Sequence, residues 1–215
     1  MKKNLVLAGL LAAATTSLYA IEVEPFLGLD FVKGKVDTTE GGKGTITING
    51  NTETGSFSDN SSVKDNTFGI KAGAILDKNH RVYINYFKLK DTVYDNDVSY
   101  TLPSINYDYL ILNDKLNGFV PYIGAHIGYG KTDFGDFIGS DFEDKSSLDY
   151  GINLGVIKDI NKNVSLELGY RYTIVDEKTT QSGTFTDADG DSISGTVYQE
   201  NDSVSTFTFG VSYKF

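Results

Sequence analysis

Val164-Ser165-Leu166-Glu167-Leu168-Gly169-Tyr170-Arg171-Tyr172-Thr173-Ile174 alternates apolar residues with polar or small ones. A strand turns successive side chains to opposite faces. Val164, Leu166, Leu168, Tyr170, Tyr172 and Ile174 therefore share one face, and Ser165, Glu167, Gly169, Arg171 and Thr173 share the other. On a helix the two sets would mix. The same design recurs upstream, where Leu148, Tyr150, Ile152, Leu154 and Val156 oppose Asp149, Gly151, Asn153 and Gly155. Phe68, Ile70, Ala72, Ala74 and Leu76 oppose Thr67, Gly69, Lys71 and Gly73, and Ile123, Ala125, Ile127 and Tyr129 oppose Tyr122, Gly124, His126 and Gly128. Val23, Leu27, Leu29 and Phe31 begin the series, and Phe207, Phe209, Val211, Tyr213 and Phe215 end it. Two further rows, Val82-Ile84-Tyr86 and Tyr107-Tyr109-Ile111, are blurred by Tyr83 and Phe87 and by Leu110 and Leu112, so their register stays open. That makes eight strands.

The connections alternate as well. Asp77 to His80, Asn113 to Gly118 and Lys158 to Asn163 are tight polar turns, whereas 33–63, 90–99, 131–146 and 176–202 are long and rich in Gly, Asp, Ser, Thr and Asn. Strands linked alternately by short and long connections go up and down, with every long link at one end. Thr45 to Ile48 followed by Asn49-Gly50 reads as a strand extension closed by a primed turn, and a similar hairpin fits around Asp187 to Asp191. The long links are thus expected to form hairpins rather than structureless loops.

Period two alone does not say which face meets solvent. An eight-stranded barrel has an interior just wide enough for side chains, and the large residues of the apolar rows would overfill it. The apolar face therefore points outward to lipid, the Gly-, Thr-, Ser- and Asn-rich face fills the lumen, and tyrosines near strand ends such as Tyr86, Tyr129, Tyr172 and Tyr213 suit interfacial girdles. Closure satisfies every backbone donor and acceptor in hydrocarbon. The expected fold is all-β, an eight-stranded antiparallel up-and-down transmembrane β-barrel with short periplasmic turns and four long extracellular loops.

The N-terminus fits a secreted product. Lys2-Lys3, an apolar run from Leu5 to Ala14, small and polar residues, then Ala20 read as a signal peptide over 1–20 cleaved between Ala20 and Ile21, leaving 21–215 as the barrel. Among 215 residues there is no Cys, which excludes disulfides, thiolate metal sites and a cysteine nucleophile. The formal charge of −10 becomes −12 without Lys2 and Lys3, because 17 bases then face 29 acids; nucleic acid is not an expected partner.

The run Pro121-Tyr122-Ile123-Gly124-Ala125-His126-Ile127-Gly128-Tyr129-Gly130, the segment Glu167-x-Gly169-Tyr170-Arg171-Tyr172 and the aromatic strand ending at Phe215 resemble the small OmpA-like and opacity-type outer-membrane barrels. The resemblance covers 21–215 and the barrel only, without the peptidoglycan-binding domain of full-length outer membrane protein A, so tethering through such a domain is not expected. It implies residence in the bacterial outer membrane, contact with its lipid and lipopolysaccharide, and use of Tyr213 and Phe215 as a C-terminal signal for the barrel-assembly machinery.

Lys71, Asp108, His126, Asp149, Glu167, Arg171 and Lys214 fall on the inward face. Isolated ions there are costly, so these residues are expected to neutralise one another and plug the lumen rather than form a gate. His126 lies between Gly124 and Gly128 on that face, a crowded position without a nucleophile beside it, and His80 falls in a turn. Some eight-stranded barrels modify lipid A, but no enzyme is expected here, nor any cofactor. Asp187, Asp189 and Asp191 resemble calcium ligands, yet lack the EF-hand spacing and read better as a solvated turn. Segment 176–202 carries seven acids and one base. The function expected is structural, with acidic surface loops for adhesion or recognition of a surface ligand; a small pore and a lipid-A-modifying enzyme are the alternatives.

Overall fold

Each segment of two-residue period lies in a strand of the computed structural model, apart from the end residues Ile111 and Phe215; the model describes residues 21–93, 96–133, 145–186 and 191–215. The strands are β1 (Val23–Ile48), β2 (Asn51–Leu76), β3 (His80–Val93), β4 (Asn96–Leu110), β5 (Phe119–Asp133), β6 (Lys145–Asp159), β7 (Val164–Thr186) and β8 (Ser192–Lys214). They pair antiparallel in chain order and close into a barrel through β1 and β8. Segment 1–20, including Ala20 of the expected cleavage bond, lies outside the described residues, as do Asp187 and Asp189.

Local chemistry sets the short-turn end. Asp77 and Lys78 both take positive φ, and the Asp77 carboxylate accepts from the Glu22 amide at 3.2 Å, tying this turn to the start of β1. A single 3₁₀ turn, Asp114–Leu116, starts where the Asn113 side chain accepts from the Lys115 amide and ends at Asn117 and Gly118, both left-handed. In the third turn, Asn161 Oδ1 accepts from the amides of Asn163 and Val164. His80, expected in a turn, opens β3, and its Nδ1 lies 2.8 Å from the Tyr107 hydroxyl.

The apolar face points outward around the barrel. Phe68 (77%), Leu29 (64%), Ile105 (60%) and Leu148 (60%) are among its most exposed residues, whereas Asp108 and Asp149 inside are fully buried. The blurred strands resolve in the same sense, with Arg81, Tyr83, Asn85 and Phe87 facing in and Val82, Ile84 and Tyr86 facing out. The lumen is not polar throughout. Val32, Phe87, Leu89, Tyr100, Leu102, Val175 and Val204 cluster in its upper part, and Leu110, Tyr122 and Ile157 cluster near the short turns. The apolar clusters bracket the polar middle.

The long links are largely strand. The β2–β3 ladder stops at Gly69–Phe87 and the β6–β7 ladder at Tyr150–Ile174, but β2, β1, β8 and β7 continue as a four-stranded sheet beyond the barrel. Asn49 and Gly50, with φ of 49° and 78°, close β1 onto β2 in the expected primed turn. No shift interrupts the β1–β2 register, so the alternation that turns Leu27, Leu29 and Phe31 outward turns Gly42, Gly44, Ile46 and Ile48 inward. One extra residue in β8, at Asp202, brings Ile193, Gly195 and Val197 onto that inner face.

The sheet consequently inverts its polarity on leaving the barrel. Ile46, Ile48, Phe57, Phe185, Ile193 and Val197 lie on the inner face, and Gly55, Gly44, Gly195 and Gly183 form one flat row across all four strands. The outer face carries hydroxyls, with Thr45 bonded to Thr54, Thr47 to Thr52 and Ser182 to Thr196. Along the barrel wall, outward means lipid and apolar; above it, outward means water and hydroxyl.

Candidate functional site

Two constellations stand out, one in the lumen and one on the extension. Lys71 on β2 places Nζ 2.7 Å from Asp30 Oδ1 and 2.6 Å from Glu167 Oε2. Arg81 on β3 grips two carboxylates: Nε and Nη2 donate to Asp108 Oδ2 at 3.0 and 2.6 Å, and Nη1 and Nη2 donate to Glu167 at 2.9 Å each. Its guanidinium lies 4.9 and 4.6 Å from the ring centroids of Tyr83 and Tyr122, and the Tyr122 hydroxyl donates to Glu167 at 2.6 Å. Glycine makes room for that phenol, since a Cβ at Gly169 would stand 2.6 Å from the Tyr122 hydroxyl and one at Gly155 2.5 Å from it.

Arg171 occupies a different kind of site. Its nitrogens donate to Asn153 at 3.3 Å, Asn85 at 3.2 Å and Ser104 at 3.0 Å, and also to Asn106. Amide dipoles and a hydroxyl thus solvate this cation, while the Phe87 ring lies 5.8 Å away. Asn153 Oδ1 also meets His126 Nδ1 at 2.9 Å, and His126 Nε2 meets Thr173 Oγ1 at 3.0 Å. An amide oxygen only accepts, so Nδ1 carries a proton, and in the neutral ring the Thr173 hydroxyl donates to Nε2. Both ring nitrogens are engaged in a buried pocket, which leaves His126 no free base for chemistry. Asp149 accepts from Tyr100 and Ser147.

The structure thus joins Lys71 to Glu167 directly, Glu167 to Asp108 through Arg81, and His126 to Arg171 through Asn153, with Asp149 beside Tyr100. Lys214 stands apart. It meets Asp159 at 3.1 Å and Glu24 at 3.7 Å in a vestibule of about 290 Å³ at the short-turn end. Arg81 and Asp30 are charged members outside the set expected from the sequence. Carrying the Val82-Ile84-Tyr86 parity one residue back to Arg81 supplies the missing signal.

In mid-lumen the residual cavity is about 30 Å³, lined by Asp30, Lys71, Glu167 and Arg171 among others. That is space for about one water. Among the described residues apolar clusters stand above and below it, as in a lumen filled by its own side chains. In a planar bilayer the refolded protein is expected to give no steady conductance; well-resolved, reproducible single-channel openings would show that the network yields.

The second constellation is the inner face of the extension. Ile46, Phe57, Ile193 and Val197 flank the glycine row and line a trough of about 640 Å³ that also includes Lys43 and Glu53. The six large apolar residues of the inner face are 44% to 70% exposed. Asp191 accepts from the Asn49 amide at 2.8 Å and fastens the β7–β8 end of the sheet to the β1–β2 turn. Among the described residues no cluster of His, Asp and Glu has the arrangement to hold a metal ion.

The family model described as outer membrane protein beta-barrel domain matches residues 6–215. Among solved structures, the neisserial surface protein A is similar at 18% identity and a TM-score of 0.55, over 84% of this chain and 97% of that one. The outer membrane protein OprG of Pseudomonas aeruginosa is similar at 17% identity and a TM-score of 0.53, over 86% and 95% of the two chains. No curated protein matches the sequence.

Proposed function

Because the chain belongs to the outer membrane protein beta-barrel domain family, we propose that it is a non-enzymatic barrel of the bacterial outer membrane that holds a rigid recognition sheet above the surface and binds surface partners with it. The observation that carries this reading is the polarity inversion of the extension. Water-facing sheets keep their apolar side covered, and an exposed apolar patch above the membrane marks a contact surface. The glycine row leaves the floor of the trough flat, so that another backbone or a flat apolar group can approach closely. Backbone pairing across four strands gives the surface the rigidity that lowers the ordering cost of binding.

The lumen supports the reading by its closure, since a plugged barrel serves as a scaffold. Tyr213 and Phe215, whose rings meet edge to face at 5.2 Å, are exposed at the end of the closing strand and available to the assembly machinery before closure.

The test shortens the sheet and leaves the barrel intact. Residues 43–56 are replaced by Asn-Gly, and 183–195 likewise, cutting both hairpins at paired positions. Heat-dependent gel mobility reports barrel folding. Cells displaying the full chain are expected to adhere to cultured epithelial cells or matrix-coated surfaces, and cells displaying the shortened barrel to lose that adhesion. Equal adhesion by the two chains would remove the recognition reading.

A further inference from the structure

Two strands of the extension keep one side bare. Among the described residues, β2 has no partner on its β3 side above Gly69–Phe87, and β7 has none on its β6 side above Tyr150–Ile174. Residues 54–58 of β2 and 179–186 of β7 hold no charge, no proline and no register shift, the devices with which natural proteins guard such edges. Between the two edges the inner face is apolar and the outer face carries hydroxyls. That is the polarity of a barrel standing in water, and four strands are half of the eight that enclose a filled interior.

A second copy supplies the missing half. A half turn about an axis that crosses the barrel axis at the height of Gly55, Gly44, Gly195 and Gly183 sets β2 against β2 of that copy and β7 against its β7. Both seams are antiparallel, so one partner closes both edges. Counted from the two-residue turn at Asn49-Gly50, the ladder alternation turns the amides of Ser56 and Thr184 to the open edges and leaves Gly55 and Gly183 at the centres of the seams. A Cβ built at either glycine meets nothing within 4 Å. The two glycine rows can therefore touch, with Ile46, Ile48, Phe185 and Ile193 of one copy lying over Phe57 and Val197 of the other. These side chains expose about 600 Å² per copy and the strand edges add to it, against the roughly 800 Å² per partner of a stable interface.

Within one membrane the completing half would need its barrel where the first barrel already stands. The half-turn axis lies across the strands, so it carries the second barrel to the far side, into a facing membrane. We propose that the extension binds a second copy of this chain on an apposed cell, the two half-walls closing into one eight-stranded barrel between the membranes. The assignment rests on the recognition reading and names its partner. Glu40, Glu53, Asp59, Glu200 and Asp202 outnumber Lys43 and Lys178 on the extension, so two copies repel at a distance and attract through apolar contact and strand pairing. Salt screens that repulsion and strengthens the pairing, whereas it weakens the hold on a basic partner.

The experiment uses phosphatidylcholine vesicles that hold the refolded full chain. Light scattering reads tethering, and a non-reducing gel after mild oxidation reads crosslinks; one of two mixed populations carries a tagged chain, so a tagged–untagged crosslink joins different vesicles. The chain has no cysteine of its own, and a single introduced one crosslinks only to another copy. Gly55→Cys and Gly183→Cys are each expected to crosslink between vesicles, and Lys162→Cys, exposed at the short-turn end, is expected not to. Ser56→Pro/Thr184→Pro removes one edge amide from each seam and is expected to lower tethering roughly tenfold or more, with the heat-dependent mobility of a folded barrel retained. Phe57→Asp is expected to do the same from the apolar face, and the cysteine variants remain informative should either of these fail to refold. Raising the ionic strength from about 0.01 M to about 0.15 M, which shortens the Debye length from about 30 Å to about 8 Å, is expected to strengthen tethering. No crosslink at either glycine, an equal crosslink at Lys162→Cys, or tethering that salt weakens would each overturn the assignment. Adhesion to epithelial cells that still required the extension would then leave the recognition reading standing with a different partner.

Discussion

Replacing Arg81 with Met is expected to lower the unfolding free energy by about 3–5 kcal/mol, the largest effect of any single substitution in the lumen. Arg81 is 3% exposed, and all three of its guanidinium nitrogens donate to Asp108 or Glu167. Methionine fills similar volume but leaves both carboxylates without their shared cation in a buried interior, and Lys71 alone still faces Glu167. Removing one partner of a buried pair costs far more than the pair contributes in net stability, because the remaining charge keeps its desolvation penalty. The double variant Arg81→Met/Glu167→Gln is therefore expected to recover part of the loss. Urea unfolding in lipid vesicles measures both. A loss under about 1 kcal/mol for the single variant would mean that water reaches Asp108 and Glu167 and that the lumen is wet.

The second large effect separates wall from extension. Ile84 on β3 and Ile46 on β1 are both apolar, both exposed and both in strands. Arginine at Ile84, which faces hydrocarbon, is expected to cost about 2–4 kcal/mol. At Ile46, which faces water above the membrane, the same change is expected to stay within about 0.5 kcal/mol. Equal costs at the two positions would place the extension inside the lipid. The comparison needs no ligand and reads the solvent at each height directly.

The barrel was legible because its wall obeys one rule, apolar outward and small or polar inward, over strands long enough to count. Phe68 to Ala74 and Val164 to Ile174 state that rule without exception. Asn49-Gly50 was legible for a different reason, as few dipeptides adopt two positive φ values easily. The lumen was half legible. Lys71, Asp108, His126, Asp149, Glu167 and Arg171 follow from parity, but Arg81 was lost where Tyr83 and Phe87 blurred the faces of β3, and those two bulky residues turn out to pack inside the lumen. Lys214 shares the inward parity yet lies at the rim, since parity gives the face of a residue and not its height. The extension was the least legible. Its apolar residues are separated by glycines and hydroxyls, and its inner face changes parity at the extra residue in β8, so no uniform period runs through it.

The ladder between β1 and β8 runs from Phe26–Lys214 to Thr47–Ser192, through the wall and up the whole extension. It unites the strands farthest apart along the chain, and it is the only pairing that turns an open sheet into a cylinder. Loop-closure entropy makes so non-local a seam slow to form. An unzipped intermediate must hold its two free edges apart from other chains until the final strand arrives. Once formed, the seam opens only by breaking a ladder that continues well beyond the lipid, and this gives the protein a persistence set by its unfolding rate rather than by its equilibrium stability.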